Sequence, residues 1–292
     1  MIKAPPRIVP PRSRRGDGAS DAVVAWSGAA LVTGTVAWML ADIISHGTGA
    51  LSWSFLSQSP SDAGRAGGIA PILVSTAAIL AVCLAACVPL GLGTAILLSE
   101  YAPADERLGR AVRRSLDVLA GTPSILFGLF GNAFFCKTLG LGFSILSGGL
   151  TLACMALPIL IRTVEEGLRA VPAEQRLSAA ALGLSRAGTL VHVLLPAAAP
   201  SLAAGLILGI GRALAETAAL VFTSGYVDRF PASPFDSGRA LSVHVYELAM
   251  NVPGGDANAY GSALVLVLLL LALNLSVVRL SGSRRYGRST LR

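Results

Sequence analysis

The 292-residue chain is 53% hydrophobic and 13% charged, with a mean hydropathy of +0.68. A soluble domain carries about 25% charged residues, so water is not the main solvent here, and apolar runs of 18 or more residues argue for membrane spans in lipid. The net charge of +7 does not indicate nucleic acid, because the basic residues are scattered between apolar runs and form no continuous stripe.

The first 20 residues, MIKAPPRIVPPRSRRGDGAS, hold five Lys/Arg and four Pro and read as a disordered basic tail. Apolar runs follow at 22–44, 69–99, 116–136, 143–161, 200–224 and 259–280. The first is long enough to span and lacks a small-residue cleavage site, so it reads as a membrane helix rather than a removed signal. The second is longer than a span needs, which predicts tilt or protrusion, and Pro71 and Pro89 are candidate kinks within it. The organisation expected is a tail over 1–20, a first transmembrane helix and outer loop over 21–64, a five-helix core over 65–282, and a basic tail over 283–292.

Six spans put both termini on one side. The N-terminal tail, the 100–115 segment, the 162–199 segment and the C-terminal tail together hold 18 Lys/Arg; the other side holds Arg65, Lys137, Arg229 and Arg239. Cytoplasmic loops carry the Lys/Arg excess, so both termini are expected in the cytoplasm. The outer segments are long at 45–68 and 225–258. In the latter, SVHVYELAM (242–250) predicts a short helix with an apolar face at Val243, Tyr246 and Ala249, lying on the membrane surface or a partner.

Cys83, Cys87, Cys136 and Cys154 all fall in apolar segments and read as small hydrophobes, with no disulfide framework and no metal site. His46, His192 and His244 read as isolated loop residues. No G-x-x-x-x-G-K-[ST] loop is present, so ATP hydrolysis is not expected on this chain, and no cofactor is expected.

The 162–199 segment predicts a helix behind Pro172, a C-terminal turn at Gly183, and Ser185 capping a second helix over 186–195 that Pro196 closes. Small residues, Ser178, Ala179, Ala180 and Ala181, lie on the first helix, where another protein's groove can approach the backbone. This segment resembles the EAA loop of ABC-importer permeases: Gly183, nine residues, then VLLP ending at Pro196. Leu177 stands where that family commonly has Glu. The stretches GGIAPILVSTAAI, PLGLGTAILLSEYAP, DVLAGTPSILFGLFGNAFF, LPILIRTVEEGLRAVP and GRALAETAAL resemble the phosphate-specific permeases of the PstA type, over roughly 65–280. Ala215 and Ala219 replace the family's more usual Gly and Pro, which predicts a straighter span. The resemblance implies an all-α fold of six transmembrane helices in the type I importer arrangement, in the bacterial inner membrane. It also implies a second homologous permease, a dimer of ATP-binding subunits, an external phosphate-binding protein, and inorganic phosphate as the transported ion.

Arg212 and Glu216 are the charges within 200–224. Each costs about 2.5–3.5 kcal/mol at a bilayer centre on insertion scales. On a continuous helix they share a face and can pair, with Thr217 adjacent. They serve either as glue between spans or as the lining of the path, where an arginine's planar donors suit phosphate oxygens. A Gly205–Gly209 face, with Gly211 beyond, suits a subunit contact or a moving span. Arg162 and Glu165 form an i, i+3 pair at the end of the fourth span; the resemblance to the phosphate permeases makes them candidates for the path's exit, and snorkelling interfacial charges are the alternative. Alternatives are a sulfate or molybdate permease and an ion-coupled carrier with Glu216 as proton site, the latter lacking any visible internal repeat.

Overall fold

In lipid, backbone polar groups must be satisfied within the chain, so apolar runs of this length fold as helices. The structure is a computed structural model that describes residues 18–102 and 107–286, with side chains over 21–102 and 107–276. The expected N-terminal tail therefore lies outside the described residues except for Gly18–Ser20, which are already helical, as does the last part of the C-terminal tail.

The chain divides into two units, Met1–Ser45 and His46–Arg292. Nearly all of helix α1 (Gly18–Gly47) belongs to the first; Trp26 and Trp38 are exposed along it, as suits a lipid-facing span. The second unit begins with α2 (Trp53–Ser57), whose N-terminus is capped by the Ser52 hydroxyl. Strands β1 (Pro60–Ser61) and β2 (Ala66–Gly67) then pair antiparallel, Pro60 opposite Gly67, around a turn in which Asp62 and Ala63 take positive φ.

Helix α3 (Ala70–Ile96) starts with Pro71 in its first turn, runs through Pro89, and ends in a π-helical turn at Leu97–Tyr101. Helices α4 (Arg107–Gly121) and α5 (Ser124–Gly131, with a π-helical extension to Thr138) form the third expected span, but they meet at a 103° bend. Pro123 is the residue that interrupts the helix there, since it has no N–H to donate. Helix α6 (Ile145–Arg169) is the centre of the second unit: Leu152, Val164 and Leu168 are fully buried. Then come α7 (Ala173–Ala181), α8 (Arg186–Thr189, extended by a π-helical turn over Leu190–Leu194), α9 (Leu195–Leu214), α10 (Ala218–Val221), α11 (Leu241–Met250) and α12 (Asp256–Tyr286). Among the described residues five helices are long and apolar enough to cross a membrane, and six if the bent α4–α5 pair counts as one.

Small residues let α3, α6 and α9 approach closely. A Cβ on Gly149 would lie 2.5 Å from the Val82 Cβ, and one on Gly167 would collide with the Ser201 Cβ. The Gly205–Gly209 face packs on Thr163, Leu160 and Ala156 of α6, so this face serves the chain's own core rather than a subunit contact. Cys83 and Cys87 are buried beside Ala156 and Leu160 of α6 and Gly205 and Gly209 of α9.

Three further expectations are corrected. Pro196 does not close a helix: α8 runs through the π-helical turn into α9, and that wider turn takes up the proline's missing N–H. The buried face of α11 is Leu241, Val243, His244 and Leu248, while Tyr246 and Ala249 are exposed, because α11 packs into the core, where the Leu241 N–H donates to the Thr76 hydroxyl at 2.9 Å. The histidines sit in helical segments: His46 ends α1 with its ring against Tyr260, His192 lies in the turn before α9, and His244 is buried in α11.

Candidate functional site

The run from Pro200 to Ser224 is not one helix. α9 stops at Leu214, and Ala215, Glu216 and Thr217 separate it from α10. Arg212 and Glu216 therefore do not stack a turn apart, and no ion pair joins them among the described residues. Instead, Glu216 Oε1 accepts the Ala219 N–H at 3.2 Å, capping the new turn, and the Ser242 hydroxyl of α11 donates to the Glu216 carbonyl. Thr217 is half-buried beside them. Ala219 is fully buried against α5, where a Cβ on Gly128 would lie 2.8 Å from the Ala219 Cα. The break thus forms with alanine at both 215 and 219, because contacts from α5 and α11 hold it, and the straighter span expected from those alanines does not form. Arg212 is exposed on the last turn of α9 and, among the described residues, has no ion-pair partner.

At the opposite end of α6 the charges are tied together. Glu165, 5% exposed, accepts from Arg113 Nε at 2.9 Å and pairs with Arg169 at 3.0 Å. Both arginines also donate to the Leu98 carbonyl, at 2.9 and 3.2 Å, where α3 is ending and its carbonyls lack helical partners. Arg162 pairs with Asp117 of α4 and reaches the Arg113 carbonyl, so the expected Arg162–Glu165 pairing is replaced by partners on another helix. Arg176 of α7 pairs with Glu100 and donates to the Leu168 carbonyl at 2.8 Å. Sequence reasoning assigned no role to Arg113, Asp117, Arg169, Arg176 or Glu100. One signal was available: Arg113 lies on the same helical face as Gly109 and Leu116, both buried, the place of an inward side chain.

α7 itself follows local rules. Gly183 takes φ +75° just past its end, and the Ser185 hydroxyl accepts the Gly188 N–H at 3.1 Å to start α8. Ser178 and Ala180 are exposed, as are Leu177 and Leu182, whereas Ala179 is buried. Pro196 is exposed in the following helix. A short exposed helix with apolar side chains outward is a surface that another protein can cover.

These features (a helix pair at the end of a close-packed bundle, and a broken intramembrane helix) are accompanied by a match over residues 87–282, two thirds of the chain, to the family of binding-protein-dependent transport system inner membrane components. The chain belongs to that family. Among its relatives, a probable ABC transporter permease protein, YqgI, of Bacillus subtilis is 32% identical, covering 90% of this chain and 94% of its own. The phosphate transport system permease protein PstA 1 of Mycobacterium tuberculosis is 33% identical, covering 85% of this chain and 84% of its own. Among solved structures, the MetNI methionine ABC transporter superposes with a TM-score of 0.57 at 16% identity, over 73% of this chain and 95% of that one, which shows the shared fold. The ABC permease is thus a multi-pass membrane subunit, and its family implies association with an ATP-binding subunit, a second permease and a binding protein.

Proposed function

We propose that this ABC permease is one of two permease subunits of an ATP-driven phosphate importer. The observation that carries the substrate is the similarity to the phosphate transport permeases, which runs over 85% of the chain. The physical chemistry agrees. An exposed arginine on a membrane helix, with no ion-pair partner among the described residues, does not face lipid, where its charge is costly. It faces water or another subunit, and a guanidinium in a water-lined path offers paired donors to an oxyanion. Glu216 and Thr217 stand at the helix break beside it, and Glu216 keeps the local field from holding the anion too tightly.

In this reading the α7 end is cytoplasmic, in accord with the 18 Lys/Arg on that side. Ser178, Ala180 and Gly183 form the surface that meets the ATP-binding subunit, with Pro196 in the helix behind, while Ala179, expected on that surface, is buried on the inner face of α7. ATP is hydrolysed on that partner and not on this chain. Arg162 and Glu165 stand at the exit, held by Asp117, Arg113 and Arg169. The binding protein meets the α11 end and delivers the ion, so the path itself needs little selectivity.

The test is uptake into proteoliposomes holding the whole complex with ATP at the α7 side, offered labelled phosphate, sulfate or molybdate. Phosphate uptake that neither of the other two ions suppresses is the expected result. Transport of sulfate or molybdate without phosphate would overturn the substrate and leave the permease assignment standing.

A further inference from the structure

In the proposed function the surface of α7 receives the ATP-binding subunit, and the role inferred for Arg176 rests on that reading. How a push on α7 reaches the spans is a separate question. α7 has one buried side chain, Ala179. Beneath it, a cleft of about 260 Å³ opens between α7, the end of α3 and the start of the next helix, lined by Glu100, Tyr101, Arg176, Ala180, Arg186 and Leu190 among others. With one buried side chain and a gap beneath it, α7 has little apolar contact with the ends of α3 and α6, so a polar bridge across the gap is its firmest connection to them.

Arg176 crosses that gap. Its side chain is 31% exposed and Glu100's is 17% exposed, so the pair is partly shielded from water. One guanidinium nitrogen meets Glu100 Oε2 on the π-helical turn that ends α3; another donates to the Leu168 carbonyl near the end of α6 at 2.8 Å. One rigid planar group thus holds the ends of two core helices at once, in the fork geometry particular to arginine. Those two ends are joined to each other as well, because Arg113 and Arg169 bring Glu165 of α6 to the Leu98 carbonyl of α3. The second oxygen of Glu100 is buried without a hydrogen-bond partner, so Arg176 is its carboxylate's ion-pair partner among the described residues.

We infer that Arg176 is the positioning residue that couples movement of α7 to α3 and α6, with Glu100 and the Leu168 carbonyl as its two anchors. It touches neither the transported ion nor ATP. Its removal leaves α7 able to meet the partner and leaves hydrolysis running, but disconnects both from the path. Coupling energies of this kind correspond to effects between about twofold and thirtyfold.

The experiment uses the reconstituted complex of permeases, ATP-binding subunits and binding protein. ATP hydrolysed per phosphate taken up is measured for wild type, Arg176→Met, Arg176→Lys, Glu100→Gln and the exchange Glu100→Arg with Arg176→Glu. The ratio is expected to rise roughly tenfold in Arg176→Met, less in Glu100→Gln, which keeps the bond to Leu168. Arg176→Lys is not expected to restore it, having no fork, whereas the exchange restores it in part. An assembled Arg176→Met complex with an unchanged ratio overturns the inference. A second readout does not require phosphate: spin labels at Leu97 and Glu174, compared with and without ATP. An unchanged separation in wild type that spreads in Arg176→Met is expected; a separation that already changes in wild type overturns the clamp. If wild type takes up no phosphate, the proposed function fails while this distance still decides the clamp.

Discussion

The two ends of the bundle are held together by different chemistry. At the α11 end the chain stitches backbone to backbone: the first N–H groups of α6, at Ser144, Ile145 and Leu146, donate to the carbonyls of Thr223, Asp236 and Pro234 at 3.1, 2.9 and 2.9 Å. Ile69 and Ala70, at the start of α3, donate in the same way to Phe55 and Gln58 at 2.7 and 3.0 Å. At the α7 end long side chains do the joining, with arginines spanning from α4, α6 and α7 to carboxylates and free carbonyls. Backbone stitching has one arrangement. Arginine bridges can exchange acceptors without unfolding the helices they join. The end joined by long side chains is the one near the surface proposed to receive the ATP-binding subunit.

The largest effect is expected from Glu165→Gln. It leaves two guanidiniums facing a buried neutral amide, a change that costs about 3–5 kcal/mol where a buried pair is broken. Thermal unfolding of the purified permease in nanodiscs reads it, and a loss below about 1 kcal/mol would place the pair among surface bridges. At the stitched end Gly68→Ala is expected to cost about 3 kcal/mol or more, because its Cβ would collide with the Phe55 carbonyl oxygen and lie 2.7 and 2.8 Å from those of Gln58 and Ser54. Backbone cannot give way as a side chain can, so this variant should lose folded protein, whereas the charged-end variants at Arg176 and Glu100 should lose coupling. Should both classes simply unfold, the distinction between the ends is gone.

His244 sharpens the same contrast. It is 1% exposed, and burial first, then the neighbouring Arg239, hold its pKa down to about 4, with Asp228 opposing. The unfolded chain takes up its proton near the ordinary value of about 6.5, so the unfolded state binds more protons between these values. Stability is full above about pH 6.5 and falls as the pH drops toward 4, by on the order of 2 kcal/mol at about pH 5. Hydrogen exchange of the α11 amides at about pH 7 and about pH 5 measures it, and His244→Gln should remove the pH dependence. The smallest effect is local: Ser185→Ala removes the cap of α8 and should cost about 1 kcal/mol, visible as faster exchange at Gly188.

What the sequence made legible follows how far apart the interacting residues lie. The turn between α7 and α8 was readable because Gly183 and Ser185 act on their own neighbours. The small-residue face at Gly205 and Gly209 was readable too, though its partner was not. The break at residues 215–217 was hidden, since neither Gly nor Pro marks it and Ser242 and Gly128 hold it from elsewhere in the chain. Glu165 likewise sits within reach of Arg162 by helical spacing, yet it is served by Arg113, 52 residues away, and by Arg169. Periodicity ranks faces of one helix and says nothing of which distant arginine arrives there, as the misassigned face of α11 also shows.

Whether a phosphate path runs past Arg212 decides more than any other question about this permease. Its most direct test is ATP-dependent phosphate uptake by the reconstituted complex carrying Arg212→Gln, alongside ATP hydrolysis stimulated by the binding protein. Uptake is predicted to fall at least about tenfold, the loss of a charge-assisted contact to the ion, while the complex assembles and hydrolysis persists. Undiminished uptake from a complex of reduced stability would contradict the path and make Arg212 a contact between subunits.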